Sequence, residues 1–193
     1  MTDYINSDLS ANDKDSWATP DWLYLALNQE FNFHLDACAS ESNAKNLVFI
    51  NQQRNALAMD NWKDAFLGYK ELKSCTAWIN PPYSRGMIDA FIKKAYEQCV
   101  NHKINSVLLV PATPDAGWWP DNATEIRFIT GGRISFKHPI TGKTINGNTK
   151  GSALIILKHI DLGSGCVTRY VERDRLREVG DEILETIDKQ VAV

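Results

Sequence analysis

The chain has 193 residues, 44% of them hydrophobic and 23% charged, with 21 Lys+Arg against 24 Asp+Glu and a formal net charge of -3. Those values fit one globular domain and exclude wholesale disorder, collagen-like repeats and coiled coils. No apolar run approaches the ~20 residues that span a bilayer, and Cys38, Cys75, Cys99 and Cys166 lack metal-ligand or disulfide-framework spacing.

Residues 1–15 are rich in Asp, Asn and Ser and are expected to form a mobile arm, with a single domain over 16–193. The acidic N-terminus resembles neither a signal nor a transit peptide, so a cytoplasmic setting with reduced thiols is expected. Thr19-Pro20-Asp21 reads as a helix start, with Thr as N-cap, Pro at the first helical position and an acid in the first turn. Phe33–Cys38 reads as a short buried strand, and Asn46–Ile50 and Asn55–Met59 as weaker strands. Cys75–Ile79 is an apolar strand that stops at Asn80-Pro81-Pro82-Tyr83, and helical spacing follows from Met87 to Val100. Ser106–Val110 is the most apolar strand, its continuous run Val107–Val110 being that expected of a strand buried on both faces.

Glu125–Thr130, Arg133–Phe136 and Ala153–Lys158 supply further strands, with a Gly/Thr/Asn/Lys-rich hairpin loop over about 137–151. A charged helix over about 171–189 closes the chain, with Leu176, Val179, Ile183, Leu184 and Ile187 on one stripe. Strands alternating with helices predict an α/β fold: a mostly parallel sheet with a C-terminal antiparallel hairpin and helices on both faces.

The net charge hides a gradient. Residues 1–79 carry 6 Lys/Arg and 11 Asp/Glu, residues 80–150 carry 9 and 5, and residues 151–193 carry 6 and 8. From Ile126 to Ile160 there is no carboxylate, while Arg127, Arg133, Lys137, Lys143, Lys150 and Lys158 fall there. Such a stretch is either an electrostatic footprint for phosphates or an ordinary solvated face.

Asn80-Pro81-Pro82-Tyr83 is the sharpest signal. It follows a buried strand directly, where open α/β sheets bind ligands. Two prolines remove two backbone donors and leave carbonyls as acceptors. An Asn side-chain oxygen beside such a carbonyl suits an exocyclic NH2 group, and Tyr83 offers a face for stacking. The plainer alternative is a Pro-Pro turn that merely ends a strand.

In these residues the chain resembles S-adenosylmethionine-dependent amino methyltransferases, and in particular the phage-type DNA N-6-adenine methyltransferases (the phage Dam family). Trp17-Ala18-Thr19-Pro20, Leu35-Asp36-Ala37-Cys38-Ala39, Val110-Pro111-Ala112-Thr113 and Gly132-Arg133-Ile134-Ser135-Phe136 match further blocks in the family's order. The resemblance covers roughly residues 16–158 and implies a Rossmann-like methyltransferase fold. It further implies S-adenosylmethionine as cofactor, double-stranded DNA as partner, no metal, and transfer of a methyl group to N6 of a flipped-out adenine.

By that resemblance Asn80, Pro81, Pro82 and Tyr83 carry catalysis. Trp17, Thr19, Pro20, Asp36, Ala37, Cys38, Asn55 and Asp60 are the candidate cofactor contacts. Arg85, Arg133, Lys137, Lys143 and Lys150 are the candidate DNA contacts. The family's Gly-rich first loop is absent, Asp36-Ala37-Cys38-Ala39 standing in its place, and Asn55 replaces an acid, with Asp60 nearby. Relatives of this type suggest phage origin and protection of DNA from restriction. The last helix is a candidate packing or homodimer element. Trp118-Trp119 reads equally as base-pocket lining, core or lid. Glutamine-amide methylation of a protein, or a catalytically weak nucleic-acid-binding relative, are the competing functions.

Overall fold

A computed structural model describes residues 17–66, 74–138, 141–145 and 149–191. The N-terminal arm expected over 1–15 lies outside the described residues. The elements run α1 (Asp21–Phe31), β1 (Leu35–Asp36), a 3-10 turn (Trp62–Ala65), β2 (Cys75–Ile79), α2 (Met87–His102), β3 (Ile104–Pro111) and β4 (Glu125–Thr130). They continue with β5 (Phe136–Lys137), β6 (Thr144–Ile145), β7 (Ser152–Leu157), β8 (Val167–Glu172) and α3 (Arg173–Val191).

Six strands form one sheet in the order β1-β2-β3-β7-β4-β8, and β5 and β6 form a separate two-stranded ribbon. The β1–β2, β2–β3 and β4–β8 pairs are parallel, while β7 runs antiparallel to both its neighbours. Five strands therefore point one way and place their C-terminal ends along one rim. This mixed α/β sheet fits the Rossmann-like methyltransferase fold.

The period-2 alternation of the strands builds two cores. Leu108, Val110, Ala153, Ile155 and Leu157 face one side, where α2 packs with Ile88, Phe91, Ile92, Ala95 and Cys99. Val107, Leu109, Leu154, Ile156 and Trp78 face the other, where α1 packs with Leu23, Tyr24 and Leu27. Val107–Val110 of β3 and Ala153–Leu157 of β7 are continuously apolar because both faces of these strands are covered. Leu176 of α3 packs partly against the second core. There α3 crosses α1 so closely that a Cβ on Gly180 would lie 2.0 Å from the Trp22 carbonyl oxygen.

Several expectations need correction. Pro20, not Thr19, occupies the N-cap of α1, with extended backbone and no side-chain cap. Its carbonyl accepts from the Leu23 and Tyr24 amides, the work a cap side chain cannot do here. β1 is only two residues long, and Asn46–Ile50 contributes a single bridge, Asp36 to Phe49. Asn55–Met59 is a turn, because Asn55 adopts φ +52° and the amides of Ala58 and Met59 donate to its carbonyl. The strand expected over Arg133–Phe136 is displaced to Phe136–Lys137, so Lys137 is in a strand of the hairpin rather than its loop. Val171 and Glu172, expected in the last helix, belong to β8, a strand the sequence did not signal. No helix among the described residues is long and apolar enough to cross a membrane.

Candidate active site

β2 ends at Ile79, and Asn80-Pro81-Pro82-Tyr83 leaves the sheet at its C-terminal rim before α2 begins. The turn into α2 passes through Gly86, whose φ of +82° is strained for a residue with a side chain. Pro81 is buried, whereas Tyr83 keeps 38% of its surface exposed. The Tyr83 hydroxyl reaches inward to the Leu109 carbonyl at 3.5 Å, and burial of that end pushes the phenol pKa up. The ring meets Phe136 edge-on at 6.2 Å.

Asn80 is oriented from across the chain: its Nδ2 donates to the Trp17 carbonyl at 3.1 Å. With the amino end committed, Oδ1 is left as an acceptor. Trp17 in turn belongs to a segment fixed by a two-way backbone pair, Ala18 with Lys137, both bonds at 2.9 Å. Trp17, Tyr83, Phe136 and Trp118 wall a cleft of about 430 Å³, floored by Ile88 and Pro111. Its polar lining is Thr113, Asp115, Thr149 and Lys150. A volume of this size suits a small aromatic ligand rather than a solvent pinhole.

The loop after β1 is built on Asp36. The residue is 3% exposed, and its carboxylate accepts the backbone N–H groups of Cys38 at 3.3 Å and Lys45 at 3.0 Å. Burial raises its pKa to about 6, although those two bonds and the Lys45 charge oppose the rise. Ala37 and Ala39 spend their amides on the Trp78 and Ile50 carbonyls. What the loop offers a ligand is a floor of small side chains beside the β2 rim, with Cys38 and Ala39 half-buried.

Asp21, at the first turn of α1, accepts from two lysines: Lys45 at 2.5 Å, and Lys137. Burial disfavours its charge, but the hydrogen bonds from Lys137 and Lys45 outweigh that and hold the carboxyl below the usual range.

The structure therefore brings Trp17, Tyr83 and Lys150 to one cleft; Asn80 does not line it but is tied to it through the Trp17 carbonyl, and Asp36, Ala37 and Cys38 sit on the loop after β1. Thr19 and Pro20 are buried behind Trp17. Asn55 and Asp60 are exposed on the connection between β1 and β2, and neither lines the cleft. Asp60 is tied to α2 only through its carbonyl, which accepts from Gln98. Arg85, Arg133, Lys143 and Lys150 are exposed, while Lys137 is engaged with Asp21. Phe136, Asp115 and Thr149 were not singled out as site residues. Pro111 closing an apolar strand, followed by the Pro114-Asp115-Ala116-Gly117 turn, was the available signal for Asp115. The tryptophan pair divides its roles. Trp118 lines the cleft, while Trp119 stacks on Phe128 at 5.9 Å, and Phe128 on Tyr170 at 5.8 Å.

Residues 6–183 match the family described as DNA N-6-adenine-methyltransferase (Dam). The chain belongs to that family. It is 32% identical over 179 residues to the DNA N-6-adenine-methyltransferase of Haemophilus phage HP1 (strain HP1c1), covering 90% of this chain and 96% of the relative. It is also 32% identical over 176 residues to the DNA N-6-adenine-methyltransferase of Escherichia phage T1, covering 82% of this chain and 68% of that protein. The family places the chain among the adenine-specific DNA methyltransferases.

Proposed function

We propose that the chain transfers a methyl group from S-adenosylmethionine to the N6 amine of an adenine flipped out of double-stranded DNA. The observation that carries this reading is the tether of Asn80, whose amino end is held by the carbonyl of the cleft-lining Trp17 so that its oxygen is left as an acceptor. The adenine amino group is a poor nucleophile because its lone pair is delocalised into the ring. Hydrogen bonds from both of its hydrogens, to Asn80 Oδ1 and to the Pro81 carbonyl, localise that lone pair. They accelerate the step only as far as they strengthen when the nitrogen becomes tetrahedral and positive. Tyr83, anchored at its hydroxyl and braced by Phe136, presents a rigid face for the extruded base.

The residues fit the methyl donor on chemical grounds. Small Ala37, Cys38 and Ala39 permit close approach, and Trp17 supplies an apolar wall, with Asp36, Thr19 and Pro20 setting these segments from behind. Asn55 and Asp60 are the alternative contacts for the donor's adenine. The bound donor supplies a methyl group already activated on a sulfonium, so positioning is most of the remaining task. Residue by residue, the chain holds the amine, stacks the base and excludes water. The nitrogen then loses its surplus proton.

DNA is held by the exposed cations Arg85, Arg133, Lys143 and Lys150, with the β5–β6 hairpin entering a groove from its Lys137 base. A phage-encoded enzyme of this kind, working in the host cytoplasm, would protect its DNA from restriction. The exposed Ile187 and Val191 of α3 make that helix the candidate homodimer element. Sequencing for N6-methyladenine in DNA from cells expressing the chain tests the activity and reports the target together. Methyladenine at a recurrent short site is the expected result. DNA without it, from cells in which the purified chain binds S-adenosylmethionine normally, overturns the reading.

A further inference from the structure

One carboxylate joins the two halves of the site. Asp21 holds Lys45 and Lys137 simultaneously. Lys45 leads back to the loop after β1, because its backbone N–H sits on Asp36. Lys137 leads to the catalytic amide: its backbone pairs with Ala18, and the neighbouring Trp17 carbonyl accepts from Asn80. The hydrogen bond that turns Asn80 Oδ1 outward therefore depends on a segment pinned between α1 and β5. Electrostatics make the arrangement costly to keep by chance. Two ammonium groups brought to one carboxylate repel each other; Asp21 offsets the repulsion directly, and Asp36 adds a charge of the same sign near Lys45.

We propose that Asp21 is a positioning residue for methyl transfer, fixing Asn80 through Lys137 and the Trp17-Ala18 segment and the loop after β1 through Lys45. This rests on the adenine-methylation reading. A consequence separates it from simple scaffolding: Asp21 neutralises a lysine that would otherwise be available to DNA phosphates. Its removal should slow turnover and tighten DNA binding at the same time.

The test uses the full chain as wild type, Asp21→Asn, Asp21→Glu and Lys137→Met, on an unmethylated adenine-containing duplex. Single-turnover methylation, DNA affinity against salt and thermal unfolding are measured for each. Wild-type methylation establishes the parent reading independently; without it that reading fails, whatever the variants do. Asp21→Asn is expected to lower the single-turnover rate by about 10- to 100-fold, the scale of a misplaced reacting group. Its DNA affinity should equal or exceed wild type, with a log–log salt slope steeper by about 0.9 for one released cation. Asp21→Glu should recover most of the rate. Lys137→Met should lower the rate without steepening the slope, which keeps the test decisive if Asp21→Asn folds poorly. A rate in Asp21→Asn and Lys137→Met that stays at wild type, or that falls together with DNA affinity, overturns the proposal.

Discussion

At the N-terminal ends of β4 and β8, charge is consumed internally. Glu125, 7% exposed, pairs with Arg127 at 2.6 Å and Arg169 at 3.0 Å and has Lys158 at 4.0 Å, while Arg127 also grips Glu30 through two bonds of 2.6 and 2.7 Å. The hydrogen bonds from Arg127 hold the Glu30 carboxyl below its usual range. At the C-terminal rim Asp21 is shared by two lysines, the Asn80 oxygen is left as an acceptor, and Arg85, Arg133 and Lys143 are exposed. The difference shows that the carboxylate-free run from Ile126 to Ile160 is not one surface. Arg127 and Lys158 serve an ion-pair lock at one end, Lys137 is held by Asp21, and Arg133, Lys143 and Lys150 are exposed.

Breaking the closed end should cost stability and spare chemistry. Arg127→Ala leaves the buried Glu125 with Arg169 and Lys158 but without its shortest partner and is expected to cost about 1.5–3 kcal/mol, read by denaturant unfolding. Turnover of the folded fraction should stay near wild type; a large loss of turnover per folded molecule would merge the two ends. Asp36 tests the rim from the other side, since its carboxyl is deeply buried and its pKa raised to about 6. A raised acid pKa means the folded state binds the proton more tightly than the unfolded chain. Stability from this group is therefore fullest below about pH 4 and declines as pH rises through about 6. The total is about 3 kcal/mol. Asp21 and Glu30, lowered in the fold, act oppositely and lose their contribution as pH falls. Subtracting the stability–pH curve of Asp36→Asn from that of wild type should expose the first trend; a flat difference between pH 4 and 7 would refute it.

Gly180→Ala probes the α1–α3 crossing that carries Trp22 and hence the start of α1. A Cβ at 2.0 Å from backbone must push the helices apart, at about 1–3 kcal/mol, visible as a lowered Tm. The smallest effect belongs to the open rim. Lys143→Ala should weaken DNA binding only a few-fold and flatten the salt slope by about 0.9 if it meets one phosphate. An unchanged slope would move that contact elsewhere.

Much of this was readable before any coordinates. Cys75–Ile79 is bounded by Ser74 and Asn80 and Glu125–Thr130 by Thr124 and Gly131, and their strands begin and end there. Asn80–Tyr83 announced itself through its position after a buried strand. β8 was not legible because it is an edge strand with almost no buried residue, Tyr170 being 73% exposed. Its pairing with β4 defines it, and pairing leaves no hydrophobic period. Phe136 was read only as part of a strand, whereas its side chain serves both the core and the cleft wall. The ion pairs joining Asp21 to Lys137 and Arg127 to Glu30 link residues far apart in sequence, and composition cannot tell a shared charge from a spare one.

If Asn80 acts on the adenine amine as proposed, its bond to the Trp17 carbonyl orients it rather than carrying the fold. Asn80→Ala and wild type should be compared for methyl transfer to an adenine duplex at saturating S-adenosylmethionine, alongside DNA affinity. A rate loss on the order of 10²–10³-fold, with DNA affinity unchanged, is predicted. Equal turnover by the two proteins would contradict the account.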